Sequence, residues 1–147
     1  MPYVGLDLGT GGLRALVVDA DGRVLGEGAA AYPTRAPRPQ WSEQDPEDWW
    51  RAAAVAVPEA LRASGVEPRR LRALGLSGQM CSLVPLDPHG RVLRPAILWN
   101  DERCAPWCDA LQARAGGEFV RLAGNRVLTA FLAGKLAWLR EREPETW

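Results

Sequence analysis

The chain has 147 residues, 47% of them hydrophobic and 24% charged, with 18 basic and 18 acidic side chains and a formal net charge of +0. This is the composition of a globular domain that buries about two thirds of its unfolded surface, and the charge balance argues against a nucleic acid or a membrane surface as partner. Three irregularly spaced cysteines predict no disulfide framework, and without a signal peptide or apolar span the expected location is cytoplasmic.

The first third of the chain predicts three consecutive strands. Their apolar and β-branched residues fall at 3–8, 13–19 and 23–32. The Asp21-Gly22 pair before the third strand is typical of a tight hairpin turn. Three strands joined by such short connections are expected to form an antiparallel meander.

A helix is predicted after a proline-rich connector. Asp45 is suited to cap it and Pro46 to occupy its first position, while the acidic residues that follow favour the positive end of the helix dipole. Pro58 lies inside the pattern and predicts a kink or a cost of about 3 kcal/mol. The pair Ser64-Gly65 is predicted to end the helix. One face is apolar and comprises Trp49, Ala53, Ala56, Val57, Ala60 and Leu61.

The second half predicts another strand, a second hairpin and further helices. Residues 71–76 predict a short buried strand, and residues 81–100 predict a hairpin with its turn at 87–90. Helices are predicted at 102–114, 118–122 and 136–143. This order favours an α/β fold in which a mixed sheet starts with the three-strand antiparallel meander and is covered by helices. No interior linker appears, so one domain is expected.

The turn after the first strand carries the clearest chemical signal. Asp7 lies in an otherwise apolar strand, and Gly9-Thr10-Gly11-Gly12 follows it. Glycines let a ligand approach backbone N–H groups closely, and with the Thr10 hydroxyl and Arg14 they are suited to bind phosphate. Asp7 is suited to hold Mg²⁺ beside those phosphates. The alternative is a glycine-rich hairpin with a solvated aspartate, since neither common nucleotide-binding fingerprint is present.

Four stretches together carry a resemblance to a known family. The Asp-Leu-Gly-Thr turn resembles the phosphate hairpin of the actin-like ATPase superfamily. The stretches WSEQDPEDWW, ALGLSGQM and RVLRPAILWNDERC follow it in the order and spacing of FGGY-family carbohydrate kinases, among which the xylulokinases are the most similar. AFLAGKLAWL, at 130–139, is similar to a later family segment, although Ala130, Leu132 and Gly134 replace its glycine, threonine and proline.

The resemblance implies ATP-dependent and Mg²⁺-dependent phosphorylation of a sugar or polyol, with D-xylulose as the first candidate. It implies an enzyme of two ribonuclease-H-like domains, of which residues 1–147 would be the N-terminal part of the first. The resemblance places three parts of the enzyme outside these residues: the rest of the first domain, the C-terminal ATP-binding domain and the general base. The alternative is that Asp101 serves as the general base. Expected partners are the sugar and that C-terminal segment, and a homodimer stays open.

The resemblance also implies roles for individual residues. Asp7 corresponds to the acid near Mg²⁺. The phosphate hairpin corresponds to Gly9, Thr10, Gly11 and Arg14. Sugar contacts correspond to Gln79, Met80, Cys81, Trp99, Asn100 and Asp101. Cys81 stands where xylulokinases usually carry histidine, so a weak thiol replaces a donor and acceptor and leaves the identity of the sugar open.

Residue chemistry alone leaves two interpretations of the sugar segments. Gln79, Asn100 and Asp101 would supply polar groups, and Met80 and Trp99 an apolar wall, which together suit a polyhydroxyl ligand. In the alternative, Met80 and Trp99 belong to the core, which is the favoured interpretation for Trp99, and Asn100-Asp101 caps the following helix.

The remaining alternatives concern function and metal binding. Cys104 and Cys108 are spaced to share a metal on a helix, but the sequence offers no matching ligands, so buried thiols are expected. The alternative functions are another ATPase of the actin-like superfamily, or a non-catalytic fragment or remnant of a sugar kinase.

Overall fold

The computed structural model describes all 147 residues, and these form two units. The first comprises Met1–Thr34 with Pro46–Gln79, and the second comprises Arg35–Asp45 with Met80–Trp147. The chain passes between the units in the middle of short connections, so no stretch of linker composition marks the division. No helix has the length and apolar character needed to cross a bilayer.

The first unit is built on a four-stranded sheet. Its strands are β1 (Tyr3–Leu8), β2 (Gly12–Val18), β3 (Val24–Ala31) and β5 (Leu74–Gly78). The order across the sheet is β3-β2-β1-β5, with antiparallel pairing along the meander and parallel pairing of β5 with β1. The predicted meander is confirmed.

Helix α1 (Pro46–Ser64) packs on β2 and β3 of this sheet at very short distance. Its buried face carries only alanines at the closest points, Ala52, Ala56 and Ala60. On the strand side, a Cβ at Gly28 would lie 2.3 Å from the Ala56 carbonyl oxygen, and one at Gly26 would lie 2.6 Å from that of Ala60. Glycine is therefore required at both positions of β3. The helix continues through Pro58 and ends where Gly65 adopts a φ of 65°.

Strand β5 differs from its prediction in position and burial. It begins at Leu74, three residues later than the predicted start, and a 3₁₀ turn at Pro68–Arg70 precedes it. Leu74 is 58% exposed and Leu76 is 73% exposed, so the expectation of a buried strand is wrong. The reason is topological: β5 is the edge strand beside β1, whereas α1 covers β2 and β3.

The second unit combines short strands with two helices. Strand β4 (Glu43–Gln44) pairs with β6 (Ala96–Ile97), and α2 (Ala105–Ala123) is followed by α3 (Leu132–Arg142). One non-helical residue, Ala115, divides α2 into parts that correspond to the two predicted helices. Helix α3 begins four residues before its predicted start. The core of the unit comprises Ile97, Cys104, Cys108, Val127, Trp138 and Leu139.

The second predicted hairpin is present only as a turn with isolated bridges. The Asp87 carboxylate accepts the N–H groups of His89 and Arg91, both at 2.8 Å, and Gly90 has a φ of 79°. Beyond the turn the two arms meet at single bridges, Leu86 with Val92 and Leu83 with Ile97. The two arms pair only at these points, and the strand pairing of β6 is with β4.

Candidate active site

The turn between β1 and β2 is held in place by a backbone hydrogen bond and by the side-chain hydroxyl of Tyr32. The Gly9 N–H donates to the Gly12 carbonyl at 3.0 Å, and the Tyr32 hydroxyl donates to the Gly9 carbonyl. Burial, and secondarily the charge of Asp7, raises the pKa of Tyr32, so the phenol stays a donor. A Cβ at Gly12 would lie 2.7 Å from the Ala30 carbonyl oxygen, which requires glycine there. Gly11 remains exposed at the tip.

Asp7 and Arg14 face each other across this hairpin. They are cross-strand partners in the β1–β2 register, and Ser77 of β5 is the partner of Asp7 on the other side. Asp7 and Arg14 are both exposed. They line a hollow of about 520 Å³ together with Gly5, Leu6, Leu16, Gly75, Leu76 and Ser77. A carboxylate, a guanidinium and a glycine-rich turn thus lie at one end of the sheet.

The segment after β5 leads to Met80 and Cys81. The Gln79 N–H donates to the Leu8 carbonyl at 2.8 Å, which fixes the end of β5 beside the end of β1. Met80 is 77% exposed, so its assignment to the core is wrong. Cys81 is partly buried and has a φ of 62°, a left-handed conformation that residues with a Cβ rarely adopt.

Trp99 and Asn100 directly follow a buried run of residues and are themselves exposed. Residues Ala96, Ile97 and Leu98 are fully buried, whereas Trp99 is 45% exposed and Asn100 is exposed. The favoured core interpretation of Trp99 is therefore wrong. An indole that is half exposed beside an exposed amide offers an apolar surface and a polar group to a ligand.

Asp101 has the environment of a structural carboxylate. It is wholly buried and accepts the Ser42 N–H at 2.6 Å. Arg103 donates to it from the backbone N–H at 3.0 Å and from Nε and Nη2 at 2.9 and 2.8 Å. The two carboxylate oxygens are thus occupied by donors of the chain itself. This leaves Asp101 unsuited to act as a general base, and it also does not cap α2, whose N-terminal capping position is Cys104.

Sequence reasoning missed Arg103, which forms ion pairs with two buried carboxylates of the second unit, Asp101 and Glu43. Its Nη2 lies 2.8 Å from Glu43, and its guanidinium carbon lies 3.5 Å from the centroid of Trp41 and 4.9 Å from that of Trp138. Its Nη1 atom is buried and has no hydrogen-bond acceptor. The adjacent indole rings of Trp41 and Trp138 can interact weakly with its N–H groups through their π faces. A weak signal for this cluster was present in the sequence, because the WSEQ and WNDER stretches each combine a tryptophan with acidic residues.

The two helical cysteines are free and buried, as expected. Their Sγ atoms lie 3.9 Å apart. Burial, and secondarily the neighbouring Cys108, raises the pKa of Cys104 to about 12, and burial also raises the pKa of Cys108. No group of three or more His, Cys, Asp or Glu side chains is placed to hold a metal ion, so a zinc site at these thiols has no further ligands.

Comparison with known proteins establishes the class. Residues 2–147 match the model of the FGGY family of carbohydrate kinases, N-terminal domain, and the chain belongs to that family. The Xylulose kinase of Escherichia coli (strain K12) is 42% identical over 97% of this chain and 29% of its own length. The chain therefore spans less than a third of that relative.

Solved structures agree with this assignment. A "xyloylose kinase" from Brucella ovis superimposes with a TM-score of 0.94 at 38% identity, over 99% of this chain and 30% of that one. The xylulose kinase from Rhodospirillum rubrum gives a TM-score of 0.91 at 29% identity, with the same coverage of 99% and 30%. The predicted family and the predicted actin-like, ribonuclease-H-like α/β fold are confirmed.

Proposed function

We propose that these residues belong to an ATP-dependent sugar kinase that phosphorylates a hydroxyl of a ketose or polyol, with D-xylulose as the first candidate. The supporting observation is family membership over residues 2–147 combined with an exposed Asp7 beside an open glycine-rich turn. In this proposal the chain forms the N-terminal part of the first of two domains, and the adenosine of ATP binds to the second.

The β1–β2 turn is proposed to bind the phosphates of ATP. Gly9, Thr10 and Gly11 would present backbone N–H groups and one hydroxyl, and the exposed Arg14 would add a charged donor. Phosphoryl transfer depends chiefly on positioning and on neutralising charge, so a rigid turn with small side chains suits this role. The hydrogen bonds of Gly9 with Gly12 and Tyr32 keep it rigid.

The same end of the sheet fits a magnesium ion that is shared with phosphate. Mg²⁺ usually takes one or two carboxylates and completes its shell with phosphate oxygens and water. Asp7 offers one exposed carboxylate without a surrounding cluster of acids. When bound, the ion would supply charge neutralisation for the phosphates, and Asp7 would fix its place relative to the turn.

The sugar is proposed to contact residues that follow the ends of β5 and β6. In the second unit, Asn100 would hydrogen-bond hydroxyl groups, while Met80 and Trp99 would pack against the carbon chain. For Gln79, in the first unit, the proposal of a hydrogen bond to the sugar rests on the family resemblance of its segment. For Asp101 the buried contacts support a role in holding the segment of Trp99 and Asn100 in place rather than direct contact with sugar.

The decisive experiment is a substrate panel. The full-length product of the gene that encodes residues 1–147 is incubated with ATP, Mg²⁺ and a set of ketoses, aldoses and polyols. We expect ADP release to depend on a ketose or polyol and the corresponding sugar phosphate to accumulate, with both lost when EDTA removes Mg²⁺. ATP hydrolysis that is independent of every sugar would favour another ATPase of the superfamily, and no turnover at all would favour a non-catalytic remnant.

Cys81→His is expected to change the ranking of sugars more than the KM for ATP. The imidazole adds a donor and an acceptor at a position where the thiol offers only weak ones. The ratio of kcat/KM values between sugars should therefore change by at least about tenfold, which corresponds to one good hydrogen bond to a hydroxyl. Cys108→Ala serves as the control because this thiol is buried in the core. Equal losses for all sugars would reduce Cys81 to a packing role.

A further inference from the structure

Lys135 is the only lysine of the chain and lies wholly buried in the first turn of α3. Its ammonium group donates to three backbone carbonyls: Thr129 at 2.7 Å, Ala130 at 2.9 Å and Cys81 at 3.3 Å. A lysine has three N–H donors, so the contacts account for all of them. Since an unpaired buried charge is costly, these carbonyls and the ammonium hold one another in place.

Cys81 has a backbone conformation that needs such support. Its φ of 62° is one of only two positive values among the non-glycine residues. The left-handed region brings Cβ close to the following carbonyl, so a residue with a side chain stays there only when its surroundings fix it. The Lys135 ammonium bonds the carbonyl of this same residue.

The backbone conformation of Cys81 determines the direction in which its side chain points. Cys81 lines an apolar hollow of about 370 Å³ whose wall includes Phe119 and Phe131. If residue 81 relaxed to an ordinary negative φ, its Cα–Cβ bond would turn away from its present direction. The side chain at this position would then no longer meet the same part of a ligand.

We infer that Lys135 is a positioning residue for sugar selection, which holds Cys81 in its left-handed conformation through the hydrogen bond to the Cys81 carbonyl. The inference rests on the proposed function insofar as Cys81 faces the sugar. Lys135 itself touches no substrate. Its substitution should therefore weaken and alter sugar recognition, and leave the KM for ATP unchanged.

The first test needs no sugar and measures alkylation of Cys81 by iodoacetamide at pH 8, followed by mass spectrometry. In the folded full-length protein, Lys135→Met should change the labelling rate of Cys81 by at least about fivefold, because thiol reactivity follows exposure and surroundings. Cys104 and Cys108 should stay unlabelled and report that the core is intact. A Cys81 rate that is unchanged with an intact core would overturn the inference.

The second test is a double-mutant cycle on the sugar KM with Cys81→Gly. Glycine adopts the left-handed conformation without strain and needs no external support. Lys135→Met should therefore raise the sugar KM at least about fivefold with Cys81 present and less than about twofold in the Cys81→Gly background, since coupled residues are non-additive. Equal effects in both backgrounds would mean that Lys135 only supports residues 129–130, and would overturn the inference.

A matched control is Gln112→Met, which removes the side-chain acceptor of the Val127 N–H in the same unit. This substitution should lower stability without any coupling to Cys81→Gly. If Lys135→Met does not fold, Lys135→Gln replaces it, because its shorter side chain withdraws the donor from Cys81. Absence of sugar turnover in the unsubstituted protein would refute the proposed function alone, and the alkylation test would still decide on Lys135.

Discussion

Replacing Asp7 with asparagine is expected to lower kcat of the full-length gene product at least about a hundredfold, which corresponds to about 2.7 kcal/mol of transition-state stabilisation. Asparagine keeps the shape of the side chain and removes its charge. Asp7 is the exposed acid of β1, and its cross-strand neighbours are Arg14 and Ser77, neither of which can supply negative charge toward Mg²⁺. Steady-state kinetics at saturating sugar, repeated over a range of Mg²⁺ concentrations, measures the effect.

Asp21→Asn provides the matched control for Asp7→Asn. Asp21 is also an exposed acid in a hairpin connection of the same sheet, in the turn between β2 and β3. The control should keep kcat within about threefold of the unsubstituted enzyme, as is usual for a surface residue away from the reacting groups. If Asp7→Asn also kept kcat within this range, the proposal that the β1–β2 turn binds phosphate and Mg²⁺ would be contradicted.

A polypeptide limited to these 147 residues is expected to show no sugar-dependent consumption of ATP. It spans 29% of the E. coli Xylulose kinase, and Asp101, the acid that follows Trp99 and Asn100 in the sequence, is buried among its own donors. Without a positioned base and a closed cleft, the rate gain from orientation and exclusion of water is lost. Turnover should therefore fall below about a thousandth of that of the full-length product.

A coupled ADP assay on the purified 147-residue polypeptide tests this expectation, with the full-length product assayed in parallel. Sugar binding by the polypeptide alone should be weak, with a Kd of about 1 mM or higher. The uncovered Leu74 and Leu76 also predict self-association, which light scattering would detect. Sugar-dependent turnover by the isolated polypeptide would contradict the proposed division of roles and direct the search for a base to Glu102 and Asp109.

The parts of the fold that the sequence predicted well are those fixed by local chemistry. The Asp21-Gly22 turn and the start of α1 at Pro46 depend on φ preferences and capping, which neighbouring residues determine. The requirement for glycine at Gly12 in the β1–β2 turn is different, because it comes from the Ala30 carbonyl of the neighbouring strand β3. The local signals are the ones that a sequence shows without knowledge of the tertiary structure.

The errors arose where long-range packing decides. An apolar run such as 71–76 predicts burial, but only the position of β5 at the sheet edge determines whether a helix covers it. For Trp99, hydrophobicity favoured the core, although the buried run ends one residue earlier and the indole turns outward. For Asp101, the family resemblance implied a sugar contact, and the sequence did not show that the Ser42 N–H, 59 residues away, and Arg103 would occupy its carboxylate.

The contact between α1 and β3 joins backbone to backbone, with alanine on the helix and Gly26 and Gly28 on the strand. At these two points the strand contributes no side chain that could change rotamer and absorb a displacement, so helix and strand are expected to move together. Strand β3 is hydrogen-bonded to β2, which carries Arg14. We therefore expect a displacement of α1 to pass through β3 and β2 to the backbone that carries Arg14 and the β1–β2 turn.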